Sequence, residues 1–229
     1  MSLAKTIRRL LHNRSGVAMT EFALGAPFLL MAGLWGTETA NFALVNMKVH
    51  QLAVHIADNA SRVGDTDTLQ NRKIYELDIY DLLLGANIQG GPGIDLFENG
   101  RVVISSVEIW DQSIHANVSS DQSDGVPFIH WQRCKGAKNF DSDFGVQNSA
   151  QPDGIGPEGE EVLPEPGSPV MFVEISYDYQ PLISDRFFGS TEIKSIASFM
   201  VRDSRDQSQL YKRNGDDPIA DCNVHDAFT

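Results

Sequence analysis

Residues 17–36, Val17 to Gly36, are almost wholly apolar, with Thr20 and Glu21 as the polar exceptions. A helix of that length spans about 30 Å, the thickness of a bilayer's hydrocarbon core. The run therefore predicts a membrane helix, and Pro27 with Gly25 and Gly33 nearby predicts a kink or local loosening in it. Ahead of it, residues 1–16 contain Lys5, Arg8, Arg9 and Arg14 and no acid. The chain as a whole carries −13, which leaves −17 on residues 17–229. Positive flanks stay on the cytoplasmic side of a membrane segment. The expected arrangement is a basic cytoplasmic leader (1–16), a single-pass transmembrane segment (17–36) in the bacterial inner membrane, and an acidic periplasmic body. Glu21 is the anomaly: a carboxylate deep in lipid costs roughly 2.5–3.5 kcal/mol or more, so it marks function by default.

The helical pattern continues past the apolar run. Phe42, Val45, Val49, Leu52, Ile56 and Val63 recur at spacings of three and four, with Asn59 interrupting, while Asn41, Lys48, Gln51, Asp58 and Arg62 lie off the stripe. This predicts one helix from 17 to 62 whose second half (37–62) is amphipathic. Its stripe suits either a domain core or a helix–helix interface in an assembly.

Residues 63–229 read as an α+β domain, so the fold class expected is a long N-terminal membrane-spanning helix packed on a small, mostly antiparallel sheet. Asp67 with Gln70 has the spacing of a capping box and starts a second helix running to about Leu84. Its apolar side is expected to be Leu69, Ile74, Leu77, Tyr80 and Leu84, with breaks at Gly85 and at Gly90-Gly91-Pro92-Gly93. Strands are expected at 102–110, 170–179 and 192–202, with consecutive strands antiparallel. Residues 145–168, rich in Gly, Pro and acid, are expected to form a solvated irregular loop. Its acids lack the ligand spacing of a calcium loop.

The acidic balance argues against nucleic-acid binding, which needs a basic footprint. No phosphate loop, zincin pair or nucleophile elbow is present, and the six histidines are scattered. No catalytic residue and no cofactor are expected. Trp110 and Trp131 are expected in the core. Cys134 and Cys222, both on the outer side, can form a disulfide in an oxidising compartment. Two alternatives stay open: unpaired buried thiols, or a zinc site built from His130, Cys134, Cys222 and His225.

Gly16, four residues, then Glu21-Phe22 and an apolar helix resembles the processing site of type IV prepilins. The Glu21-Phe22-Ala23-Leu24 run with Pro27 is more narrowly similar to the TadE/TadF-like pilus-assembly proteins of tight-adherence systems. Val173 to Leu182, and Ala197 to Asp203, resemble the C-terminal part of TadE-like proteins. The resemblance implies cleavage between Gly16 and Val17 by a prepilin peptidase, leaving Glu21 as the fifth mature residue, with N-terminal methylation by analogy. It implies a non-enzymatic minor pseudopilin assisting assembly of a tight-adherence (type IVb) pilus, with other pilin subunits and the assembly machinery as partners. In the first turn of the mature helix, Glu21 can pair with a neighbour's α-amino group or with its own helix dipole. The competing readings are a single-pass periplasmic binding module with its leader intact, and an exported hydrolase whose signal peptide is cut near Ala40.

Overall fold

The computed structural model describes residues 7, 15–64, 72–115, 123–183, 189–203 and 205–228. The fold is α+β. Helix α1 (Ser15–Arg62) is continuous through Pro27, about 72 Å long at 1.5 Å per residue. Helix α2 (Glu76–Gly90) and a single helical turn, α3 (Leu96–Asn99), precede four strands: β1 (Gly100–Ile109), β2 (Pro127–Lys135), β3 (Val170–Asp178) and β4 (Glu192–Met200). They form one sheet in the order β2-β1-β3-β4, and every neighbouring pair is antiparallel.

The second half of α1 is the spine of the domain. Val49, Leu52, Ala53, Ile56, Ala57 and Ala60 are buried, and Phe42, Val45 and Val63 pack on the same core. Of the two uses open to the stripe, this is the domain core. Its partners are the alternate residues Met171, Val173, Ile175 and Tyr177 of β3, Val102 and Ile104 of β1, and Ile193 of β4. The upper end of α1 is closed by a cation. Arg205, almost fully buried, donates from Nη1 to the Ala60 carbonyl (3.1 Å) and from Nη2 to that of Ser61. Those carbonyls have no partner within the helix, and a positive charge complements that end of the dipole.

Helix α2 differs from the expected one. Its first residue is Glu76, and its buried face is Glu76, Ile79, Leu83, Ala86 and Gly90, whereas Leu84 is exposed. The Asp78 carboxylate accepts from the Tyr75 N–H (3.1 Å) at the helix start. The expected cap, Asp67 with Gln70, lies outside the described residues. The helix runs through Gly85 and stops at Gly90, whose carbonyl accepts from Lys48 Nζ of α1 (2.8 Å).

The sheet's other face is covered as well. The 145–168 segment is not a wholly solvated loop: Ile155 is fully buried and packs with Val107, Ile129, Val170 and Phe172. Ile155 and Val162 exchange backbone hydrogen bonds of 3.0 and 2.9 Å, making a miniature hairpin over the sheet. Double coverage explains why β1 and β3 are buried along nearly their whole length.

Glu174 lies under this cover on β3. It accepts from Ser142 Oγ (2.5 Å) and the Asp143 N–H (2.9 Å). Burial, with the Asp143 charge adding, outweighs those donors and Lys194, and the carboxyl is pushed up to about 7. Between the ordinary value of 4.5 and about 7, the folded protein holds a proton that the unfolded chain has released. Stability from this group is therefore full below the lower value and is lost as pH rises through the upper one, by about 3 kcal/mol in all. Urea midpoints at about pH 5 and about pH 8 should show this fall, and Glu174→Gln should flatten it.

Candidate functional site

Two places gather chemistry that packing alone does not require. The first is the start of α1. Val17, Met19, Phe22, Leu24, Phe28, Leu29, Leu30, Met31, Leu34 and Trp35 are all exposed. The helix is long and apolar enough to cross a membrane, and none of its most apolar 18-residue window is buried in the protein. An apolar surface this continuous needs a cover. The threonines along it are satisfied within the helix: Thr20 donates to the Val17 carbonyl (2.8 Å), Thr37 to Gly33 (2.9 Å) and Thr39 to Trp35 (2.9 Å). Such internal pairing is what a lipid environment demands.

The processing and assembly residues singled out from the sequence lie here. Gly16 and Val17 form the first turn of α1, and Glu21 and Phe22 follow one turn later. Glu21 is exposed and has no hydrogen bond or ion pair among the described residues. Most of the basic leader, with Lys5, Arg8, Arg9 and Arg14, lies outside the described residues.

Where the apolar run ends, a second acid is treated in the opposite way. Glu38 is 1% exposed. Its carboxylate accepts from the Tyr179 hydroxyl (2.5 Å) and from the backbone N–H groups of Leu182 (3.2 Å) and Ile183 (3.1 Å). Asn41 donates to the same hydroxyl (2.7 Å), and Phe42 meets the Tyr179 ring edge-on at 5.1 Å. The end of β3 and the loop after it are thus clamped to α1 one turn beyond Trp35.

The second place is a buried polar cluster at the far end of β1. The pairing of β1 with β2 slips between Ser106 and Val107, which face Trp131 and Ile129 and leave His130 as the extra residue. A bulge of this kind re-aims a side chain. His130 Nδ1 lies 3.1 Å from Glu108 Oε1, His115 Nε2 lies 3.1 Å from Oε2, and Ser106 Oγ donates to Oε1 (2.7 Å). Burial opposes the Glu108 charge, but the donors from His115, His130 and Ser106 and the His130 charge outweigh it, holding the carboxyl below its usual range.

The ligating atoms of Glu108, His115 and His130 lie within 4.8 Å of one another, a spacing that a metal ion can bridge. The tautomer argues otherwise. The Asp111 N–H donates to His115 Nδ1 (3.2 Å), so the ring proton sits on Nε2, and a protonated ring nitrogen cannot ligate. Ser106 is bonded to a carboxylate rather than an imidazole, so it is not the nucleophile of a Ser–His pair. In this arrangement the cluster is a polar core whose donors and acceptors satisfy one another. Nothing in the sequence pointed to it: Glu108 lies in an unremarkable strand, and the bulge that turns His130 inward has no local signature.

Cys134 and Cys222 form a disulfide across 88 residues, in keeping with an oxidising compartment. That removes the zinc alternative, since bridged sulfurs offer no thiolate; His225 is exposed, and His130 is bound to Glu108. Beside the bridge, Arg101 is fully buried on β1. Its Nη1 donates to the carbonyls of Gly136 (2.9 Å) and Val224 (3.0 Å), and Nη2 to that of Cys222 (2.6 Å). Gly136 is required there. Its φ is +132°, and a Cβ would lie 2.2 Å from the Gly100 carbonyl oxygen and 2.6 Å from Arg101 Cα.

No family model, curated protein or solved structure matches the chain.

Proposed function

We propose that this protein is a non-enzymatic, pilin-like subunit anchored in the bacterial inner membrane, which assists assembly of a tight-adherence pilus after prepilin peptidase cuts between Gly16 and Val17. The observation that carries this reading is the division of labour along α1. One continuous helix offers an uncovered apolar half with a single exposed acid, Glu21, one turn from Val17, and its other half is the core of an acidic α+β domain. An exposed carboxylate without a partner among the described residues suits a role between chains. There it meets the α-amino group that cleavage creates on a neighbouring Val17, and the attraction is strong at low dielectric.

Glu38 speaks against the signal-peptide reading. A cut near Ala40 would remove the acid that holds Tyr179, Leu182 and Ile183, and would leave two backbone donors without their acceptor.

Mass spectrometry of the protein isolated from cells with an active prepilin peptidase tests the processing step. The expected N-terminal residue is Val17. An intact leader favours the uncut binding module, and a start near Asn41 favours the exported hydrolase. Glu21→Ala should insert in the membrane like the wild type and sharply reduce piliation; unchanged piliation would remove Glu21 from assembly.

A further inference from the structure

We propose that the loop after β3, at Leu182 and Ile183, is a second membrane contact that rests in the interfacial layer of a phospholipid bilayer beside the point where α1 leaves it. This inference rests on the anchoring part of the proposed function. Three observations place the loop there. The apolar run of α1 ends at Gly36, and Glu38 lies two residues further on, about 3 Å along the helix axis. The hydrocarbon core is about 30 Å thick and the whole bilayer about 40–45 Å, so Glu38 falls within the headgroup layer.

The loop is fixed at that level, because the backbone N–H groups of Leu182 and Ile183 both donate to the Glu38 carboxylate. Their side chains do not turn back into the domain: Leu182 is 65% exposed and Ile183 36%. The domain thus presents two adjacent aliphatic side chains at the depth where an amphipathic surface is favoured. The loop also covers Glu38 and satisfies its charge, which is what lets an acid sit one turn from lipid without facing it.

Exposed Ile88 makes the contrast. It lies near the end of α2, whose last carbonyl is bound by Lys48, and Lys48 is about 18 Å beyond Gly36 along α1. That side chain stands clear of the bilayer.

Depth-dependent quenching separates the possibilities. The full chain is reconstituted in vesicles of phosphatidylethanolamine and phosphatidylglycerol, with bromines placed high on the acyl chains. Wild type compared with W35F isolates the emission of Trp35 in the span. W35F/L182W and W35F/I88W, each compared with W35F, isolate the two introduced indoles against the buried Trp110 and Trp131. Trp35 and the L182W indole are each expected to lose roughly half their emission, and the I88W indole none. Quenched Trp35 with an unquenched L182W indole overturns the loop contact and leaves the anchor standing. Unquenched Trp35 overturns the anchor, and the loop proposal with it. Equal quenching of the I88W indole overturns the proposal, because the domain then lies flat on the bilayer. I183W, read in the same way, guards against a local misfit at residue 182.

Discussion

Replacing Arg101 by methionine should lower the unfolding free energy by about 3–5 kcal/mol, although the new side chain nearly matches the old in length. The loss has a local cause. The guanidinium donates to the carbonyls of Gly136, Cys222 and Val224, and these belong to the backbone, so no compensating substitution can remove them. Methionine leaves the buried Gly136 carbonyl and the part-buried carbonyls of Cys222 and Val224 without their donors, and an acceptor that water cannot reach costs on the order of 1–3 kcal/mol. The C-terminal segment should also open. Urea unfolding measures the first effect. Hydrogen exchange at Gly136, whose N–H donates to the Asp226 carbonyl, and at Cys134, whose N–H donates to that of Ala220, measures the second. Unchanged exchange at both amides would show that Arg101 does not hold the tail.

Removing the Cys134–Cys222 bridge, by reduction or as C134S/C222S, should cost about 4–5 kcal/mol in the chain-entropy account, because the closed loop is long. The two effects should not add. Arg101 binds the carbonyl of Cys222 itself, so either lesion weakens what the other removes. A double-mutant cycle combining R101M with C134S/C222S should give less than the sum of its parts. Simple addition would mean that the two latches act on separate units.

The spine helix was legible because its stripe repeats over many turns, and Val49, Leu52, Ala53 and Ile56 share one core with the sheet. The strand at 170–178 was legible for the same reason: Met171, Val173, Ile175 and Tyr177 all face α1. Strand β2 was not. Pro127–Lys135 carries His130, Gln132, Arg133 and Lys135, yet most of it is buried, since both sheet faces are covered. Its polar side chains are paired by distant residues: Arg133 by Glu76, and Lys135 by Asp226 at 2.7 Å. A period-two pattern disappears when both faces are interior. The 145–168 segment misled by composition, because the buried Ile155 sits among glycines, prolines and acids. The start of α2 was not legible either: the helix begins at Glu76, after residues 72–75 that are not helical.

The candidate site divides in the same way. Gly16, Glu21 and the apolar run are adjacent in the chain, and their spacing alone drew notice. The Glu38 clamp joins residues more than 140 positions apart, and the Glu108 cluster depends on a bulge, so neither leaves a local trace.

The two ends of the domain's hold on α1 have a mechanical consequence. Glu38 grips the helix just past its apolar run and Arg205 grips it at its last turn, about 33 Å away along the axis, with the buried stripe between them. Tension applied along the apolar half of α1 therefore meets the domain as shear distributed along this length. It cannot peel the helix away from one edge, contact by contact. A chain built in this way transmits a pull from the apolar half of α1 to the sheet without a hinge.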